Sequence, residues 1–170
     1  LGIVLFLLSA RSGDLWRRLF GGWRSGPGLA VSLLCAGCGP VLIMLWPMIG
    51  RESLDLGSSL AGFGLAGASW WLFAAYYVIL HPILEEAFWR DTRFVKAKGL
   101  TFADLIFAGY HLLVLLRFID LFWAFLSVVV LVFISWLWRR MTARYQGLAI
   151  PVTSHAVASL SIMAAVYFLT

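Results

Sequence analysis

Residues 121–138 read LFWAFLSVVVLVFISWLW, a run that contains no charged side chain. A helix needs roughly 20 predominantly apolar residues to cross the hydrocarbon core of a bilayer. Residues 128–133 are all apolar, which excludes the apolar and polar alternation of a lipid-facing barrel strand. The stretch therefore predicts a transmembrane helix.

Similar apolar segments recur along the chain, separated by short charged breaks. The predicted spans are residues 1–10, 28–49, 60–89, 101–117, 119–138 and 148–169, and the first is expected to be truncated. Backbone groups inside a bilayer must pair within their own segment, so these spans should be helices. The sequence predicts an all-α, polytopic transmembrane helical bundle of about six spans. We expect residues 1–170 to form a single membrane-embedded domain whose N-terminal part is missing.

The composition of the whole chain supports a membrane protein. It is 62% hydrophobic and only 12% charged, whereas a soluble domain carries about 25% charged residues. The net charge of +5 comes from short basic runs between apolar segments, which favours membrane topology over nucleic-acid binding. Cys35 and Cys38 lie in such a segment beside small residues, so helix packing is expected there rather than redox or zinc chemistry.

The basic residues also predict the orientation of the chain. They are concentrated in the first, third and fifth breaks, at Arg11, Arg17, Arg18, Arg24, Arg90, Arg93, Lys96, Lys98, Arg139, Arg140 and Arg144. The second and fourth breaks contain few basic residues. Cytoplasmic loops carry an excess of Lys and Arg, so the first, third and fifth breaks are expected to face the cytoplasm.

Few ionisable side chains lie inside the predicted spans, and such residues are functional candidates by default. They are His81, Glu85, Glu86, His111 and His155, with Arg90 at a membrane boundary. Asp104 and Arg117 lie near span ends, where we expect them to be solvated.

The first candidate group ends the third span. Glu86 and Arg90 are four residues apart on a helix, which favours an ion pair. Glu85 points about 100° away, so Arg90 should not hold it in the same way, and His81 lies one turn earlier on its face. Pro82 is expected to open the helix just before the two glutamates.

The other candidates lie on later spans. His111 follows Phe107 by one turn, and Ser159 follows His155 by one turn. Each histidine is equally compatible with a hydrogen-bonding contact between helices. However, Glu85, His111 and His155 lie about five to eight residues inside the cytoplasmic ends of their spans, roughly 7–12 Å deep. Their shared depth favours one site.

The residue types allow two kinds of chemistry. A carboxylate and a histidine can activate water as a general base, while a second histidine donates to an oxyanion. Alternatively, Glu85, His111 and His155 could ligate zinc with one position open for water. The residues alone do not separate these alternatives.

The patterns Glu85-Glu86-x-x-x-Arg90, Phe107-x-x-x-His111 and His155-x-x-x-Ser159 resemble the three ordered motifs of the CPBP intramembrane peptidases. That family includes type II CAAX prenyl endopeptidases, Abi proteins and bacteriocin-processing proteins. The resemblance covers residues 78–165. It implies an endopeptidase of the glutamate type, with no metal cofactor and a site open to the cytoplasm.

The resemblance also implies the part each residue plays. Glu85 and His111 would activate the water, and His155 and Ser159 would stabilise the oxyanion. Glu86 and Arg90 would hold the site together. The family usually has Asn at the position of Ser159, whose hydroxyl offers one donor rather than two.

The expected substrate is a membrane-associated protein or peptide, and the expected location is the bacterial cytoplasmic membrane. Two alternatives remain open. One is a non-catalytic immunity or partner-binding protein on the same scaffold, which Ser159 suggests. The other is a transporter that uses the same residues as a relay, although their clustering in one membrane half disfavours it.

Overall fold

The computed structural model describes residues 13–51, 54–90 and 97–170. Its helices are α1 (Gly13–Phe20), α2 (Ser25–Ala36), α3 (Cys38–Ile49), α4 (Leu56–Gly62), α5 (Ala68–Ala75), a π-helical turn (Tyr76–Leu80), α6 (His81–Arg90), α7 (Phe102–Phe118), α8 (Leu121–Tyr145) and α9 (Ala149–Leu169). No strand occurs among the described residues, as an all-α prediction requires. The predicted span 1–10 and most of the third charged break, residues 91–96, lie outside them.

Three helical stretches in the described part of the chain are long and apolar enough to cross a membrane. They are Ser25–Ile49, Leu121–Tyr145 and Ala149–Leu169. These correspond to the predicted spans 28–49, 119–138 and 148–169. Helix α7 occupies the position of the predicted span 101–117; its 17 residues lie at the lower end of the range of about 17–25 that spans occupy, and it is not one of these three stretches.

The predicted continuous span 60–89 is wrong as a single helix. Helix α4 ends at Gly62, and α5 begins only at Ala68. Gly64 and Gly67 have φ angles of +77° and +56°, a conformation that glycine adopts without steric cost but that a helix cannot continue through. The apolar composition of the segment concealed this break.

The fifth charged break is not a loop. Helix α8 continues through its three arginines to Tyr145 and ends where Gln146 takes a left-handed conformation, with φ of 54°. A basic side chain does not by itself terminate a helix, because Arg has a good helix propensity. The helix ends instead at the Gln146–Gly147 turn.

Helix α9 is central and packs most extensively against α2 and α3. A close approach to α3 occurs at Gly39, where an added Cβ would lie 2.2 Å from the carbonyl oxygen of Ser161. The hydroxyl of Ser161 accepts from the Gly39 amide and donates to the Ala36 carbonyl. Small-residue packing, as expected around Cys35 and Cys38, therefore joins these helices.

The helix opening expected at Pro82 is present as the π-helical turn Tyr76–Leu80, which ends immediately before His81. Proline lacks the N–H that would bond the carbonyl four residues earlier, so a wider turn is accommodated there. The turn leads directly into α6, which carries both glutamates.

Asp55 caps the N-terminus of α4 at the surface. Its carboxylate accepts hydrogen bonds from the backbone amide and the hydroxyl of Ser58. These bonds stabilise the charged form, so they hold the pKa of Asp55 below its ordinary value. The cap satisfies an amide that the first helical turn would otherwise leave without a partner.

Candidate active site

Helix α6 carries four ionisable side chains of the candidate site. His81 and Glu85 are four residues apart, and so are Glu86 and Arg90, so each pair lies on one face. The adjacent glutamates point about 100° away from each other. Each glutamate consequently meets a different set of neighbours.

Glu86 is fully buried and has one partner at each carboxylate oxygen. Its Oε2 lies 3.2 Å from Nε of Arg90, which is also fully buried. Its Oε1 accepts a hydrogen bond from Nδ1–H of His155 at 3.0 Å. The ion pair that the spacing predicts is present, and His155 extends it to a second helix, α9.

The Arg90 guanidinium is stacked on the neighbouring helices. Its central carbon lies 4.6 Å from the ring centre of Phe107 on α7 and 5.7 Å from that of Trp138 on α8. Such contacts are attractive because the faces of aromatic rings are electronegative. Arg90 therefore fixes Glu86 to the helices that carry the rest of the site.

Glu85 is half-buried, and its neighbours are a tyrosine and two histidines rather than an arginine. Its Oε1 accepts a hydrogen bond from the Tyr110 hydroxyl and lies 3.5 Å from Nε2 of His81. Its Oε2 lies 3.7 Å from Nε2 of His155 and is buried with no hydrogen-bond partner among the described residues. One oxygen of Glu85 is therefore positioned by the protein, while the other remains available for chemistry.

His155 lies between the two glutamates. Its ring stacks on Trp138 with centres 4.7 Å apart, which fixes the plane of the imidazole. Because Nδ1–H donates to Glu86, Nε2 of the neutral ring carries a lone pair that faces Glu85. The second nitrogen donates a hydrogen bond only when the ring carries both protons.

His111 lies beside this group without touching either glutamate. Its Nδ1–H donates to the Phe107 carbonyl at 2.7 Å, so Nε2 carries the lone pair of the neutral ring. Its ring centre is 4.1 Å from that of Tyr110, whose hydroxyl reaches Glu85. In the described part of the chain, no hydrogen bond or ion pair joins His111 to Glu85. The resemblance alone did not indicate that Tyr110, the residue before His111, would reach Glu85.

Ser159 is buried one turn beyond His155 on α9. Its neighbour Ser154 is also buried, but its hydroxyl donates to the Ile150 and Pro151 carbonyls of its own helix. The two serines therefore differ: Ser154 satisfies the backbone, whereas Ser159 lies on the face that carries His155.

One group of side chains has the donor types and separations of a metal site. His81, Glu85 and His155 each offer one ligand atom, and these atoms lie within 4.8 Å of one another. His111, which the sequence suggested as a zinc ligand with Glu85 and His155, is not part of the group. His81 lies on the same face of α6 as Glu85, as its spacing indicated, and it is the second histidine of the group in place of His111.

A second buried ion pair, between Asp104 and Arg139, was not predicted from the sequence. Asp104, expected to be solvated at a span end, is fully buried and accepts hydrogen bonds from the Arg139 guanidinium at 2.8–3.2 Å. Ser135 also donates to Asp104, at 2.9 Å. Arg139 further donates to the carbonyls of Ala97 and Gly99, which anchors the segment before α7. No spacing in one helix could reveal this pair, because its members lie on α7 and α8.

An apolar cavity of about 420 Å³ lies between α5, the π-helical turn and α9. Aromatic and aliphatic side chains line it, among them Trp71, Val78, Ile79 and Leu160. His81 follows the π-helical turn and Ser159 precedes Leu160, so the cavity adjoins the elements that carry the site.

Comparisons of the chain with protein-family models, with curated proteins and with solved structures find no match.

Proposed function

We propose that the protein is an intramembrane endopeptidase of the CPBP type that hydrolyses a peptide bond of a membrane-associated protein or peptide. The observation that carries the proposal is the placement of His155 between Glu85 and Glu86, with Tyr110 linking Glu85 to His111. Residues from α6, α7 and α9 thus meet in one group.

In the proposed reaction, a water molecule lies between Oε2 of Glu85 and Nε2 of His111. Both atoms carry lone pairs, so either can accept the proton that leaves the water as its oxygen attacks the carbonyl carbon. The C–N bond then breaks, and the same proton passes to the departing amine. Tyr110 supports this step because its hydroxyl holds the other oxygen of Glu85 in place.

The oxyanion of the tetrahedral intermediate would be stabilised by His155 and Ser159. His155 donates from Nε2 when its ring carries both protons, since Nδ1–H is directed at Glu86. Ser159 supplies a single hydroxyl from the same face of α9. Glu86 and Arg90 position His155 and do not touch the substrate.

The apolar cavity beside the site fits an apolar segment of the substrate, because its lining offers contact area and almost no polar atoms. The proposal places the chain in the bacterial cytoplasmic membrane as a multi-pass protein of about six spans, with the site open to the cytoplasm. The basic breaks of the sequence support that orientation.

The test compares the protein termini in cells that carry the wild type with those in cells that carry Glu85→Gln. Gln has the size of Glu but cannot take a proton from water, so new termini made by the wild type should disappear. Asp120→Asn is the matched control, because Asp120 is an exposed carboxylate at the start of α8. His111→Ala should also abolish the cleavage.

A non-catalytic immunity or partner-binding protein is the second candidate, and Ser159 in place of the usual Asn favours it. Under that function the cellular phenotype survives Glu85→Gln. Survival, together with unchanged termini, would refute the peptidase. Loss of phenotype in a Glu85→Gln protein that still inserts would refute the non-catalytic alternative.

A further inference from the structure

We infer that the protein binds one divalent transition-metal ion of the zinc class through His81, Glu85 and His155. This proposal stands on the geometry of α6 and α9 and does not depend on peptidase activity. It names a ligand set that includes His81 and leaves out His111.

The separations of the ligand atoms fit a shared ion better than direct hydrogen bonds. Nε2 of His81 lies 3.5 Å from Oε1 of Glu85, Nε2 of His155 lies 3.7 Å from the other oxygen, Oε2, and one ligand atom from each of the three residues lies within 4.8 Å of the other two. These distances exceed those of normal N–H···O bonds, about 2.7–3.2 Å. Two ligands bonded to one tetrahedral Zn²⁺ at about 2.0–2.2 Å are about 3.4 Å apart.

Of the two histidines, His155 already directs the lone pair needed for coordination toward Glu85. Nδ1–H of His155 donates to Glu86, so Nε2 of the neutral ring offers its lone pair toward Glu85. A metal-bound histidine commonly donates its other N–H to a carboxylate in this way, which fixes the tautomer. Glu86 therefore acts on the ion through His155.

Glu85 also has one carboxylate oxygen that is free to bind an ion. The Tyr110 hydroxyl occupies Oε1, whereas Oε2 is buried without a hydrogen-bond partner among the described residues. A carboxylate oxygen in that condition is costly unless a cation or a donor meets it. A bound ion would satisfy it.

Two imidazoles and one carboxylate form a three-ligand set that leaves a fourth tetrahedral position for water. Oε2 of Glu85 accepts a proton from water in the proposed peptidase reaction and would bind the ion here. It cannot do both at once, so the ion-loaded protein is a state distinct from the metal-free one. His111 remains outside the proposed coordination sphere, since the group of ligand atoms that lie within 4.8 Å of one another comes from His81, Glu85 and His155.

Titration of the purified full chain in detergent with Co²⁺ tests the proposal. The wild type should develop the intense visible absorption of tetrahedral Co²⁺, saturating at one ion per chain, and Zn²⁺ should displace it. His81→Ala should weaken Co²⁺ binding by more than about 100-fold, since a direct ligand contributes more than an outer partner. Glu86→Gln should weaken binding by about 10- to 100-fold.

His111→Ala is the control and should bind Co²⁺ as the wild type does. His81→Gln provides a second variant if His81→Ala does not fold, as judged by its thermal unfolding. The proposal is overturned if the wild type shows no tetrahedral absorption, or if His111→Ala loses Co²⁺ while His81→Ala retains it. Loss of peptide cleavage alone would leave the Co²⁺ result standing, so the two proposals fail separately.

Discussion

Replacing Arg139 with Met would remove the cation from the buried ion pair between α8 and α7. The side chains of Arg139 and its partner Asp104 are each 1% exposed. Arg139 makes hydrogen bonds to Asp104 and donates to the carbonyls of Ala97 and Gly99. Methionine is similar in length and apolar, so the substitution leaves the Asp104 carboxylate with the neutral donor Ser135 but without the cation, and the two carbonyls without the guanidinium.

The cost follows from the burial of the partner that remains. Removing one member of a buried pair destabilises a protein by about 3–5 kcal/mol, because the other charge is left uncompensated. For a chain of this length, 1 kcal/mol corresponds to about 2–4 °C in the midpoint of thermal unfolding. Arg139→Met should therefore lower the midpoint by about 6–20 °C.

Arg140→Met is the matched control. It makes the same substitution at the next residue of the same helix, where the side chain is exposed, and it should change stability by less than about 0.5 kcal/mol. Thermal unfolding in one detergent, followed by tryptophan fluorescence, compares the two variants. Asp104→Asn added to Arg139→Met should recover part of the loss, because an amide leaves no unpaired charge. Equal midpoints for Arg139→Met and Arg140→Met would refute the reasoning.

Three further predictions concern other parts of the protein. Gly39→Ala should lower the midpoint of thermal unfolding, because the new Cβ would meet the backbone of α9. Gly26→Ala is the control and should not lower it, since no neighbouring atom lies within 4 Å of the new Cβ. Equal midpoints for the two variants would contradict the close approach of α3 and α9. Asp55→Ala should lower the midpoint at neutral pH, and Asp55→Asn should lower it less, because Asn caps the helix but carries no charge. The pKa of Asp55 is lowered in the fold, so its charge stabilises the protein above the ordinary Asp pKa. This stabilisation is lost as the pH falls through the lowered pKa of the folded protein. A difference in midpoint between the wild type and Asp55→Ala that does not change with pH would contradict this. Ser159→Ala should reduce kcat of peptide cleavage by about 100-fold, as expected for an oxyanion donor, while Ser154→Ala should leave kcat unchanged; comparable rates for both would exclude Ser159 from the reaction.

The apolar runs predicted the fold wherever hydropathy alone decides the helix. The uncharged run 121–138 and the segment 148–169 both appear as long helices. The prediction of one helix over 60–89 failed because hydropathy does not report backbone conformation: Gly64 and Gly67, between α4 and α5, take positive φ angles while the composition stays apolar.

The candidate site was predictable where its contacts lie within one helix. The Glu86–Arg90 pair follows from a spacing of four, and so does the shared face of His81 and Glu85. Contacts between helices depend on how those helices rotate against each other. For this reason the contact between Tyr110 and Glu85 could not be predicted from the spacing of residues along the chain.

The π-helical turn ahead of His81 has a consequence for the rotational phase of the chain. A π turn accommodates one more residue than an α turn, and one residue corresponds to about 100° of rotation. The five residues of Tyr76–Leu80 therefore cover about the rotation of four α-helical residues, so deleting one of them would let the segment close into a regular α-helix while α5 and α6 keep nearly the same phase. The wall of the apolar cavity and the face of Glu85 are thus aligned only while the extra residue stays in a π turn, because closing the present sequence into a regular α-helix would turn them apart by about 100° without removing any side chain of the site.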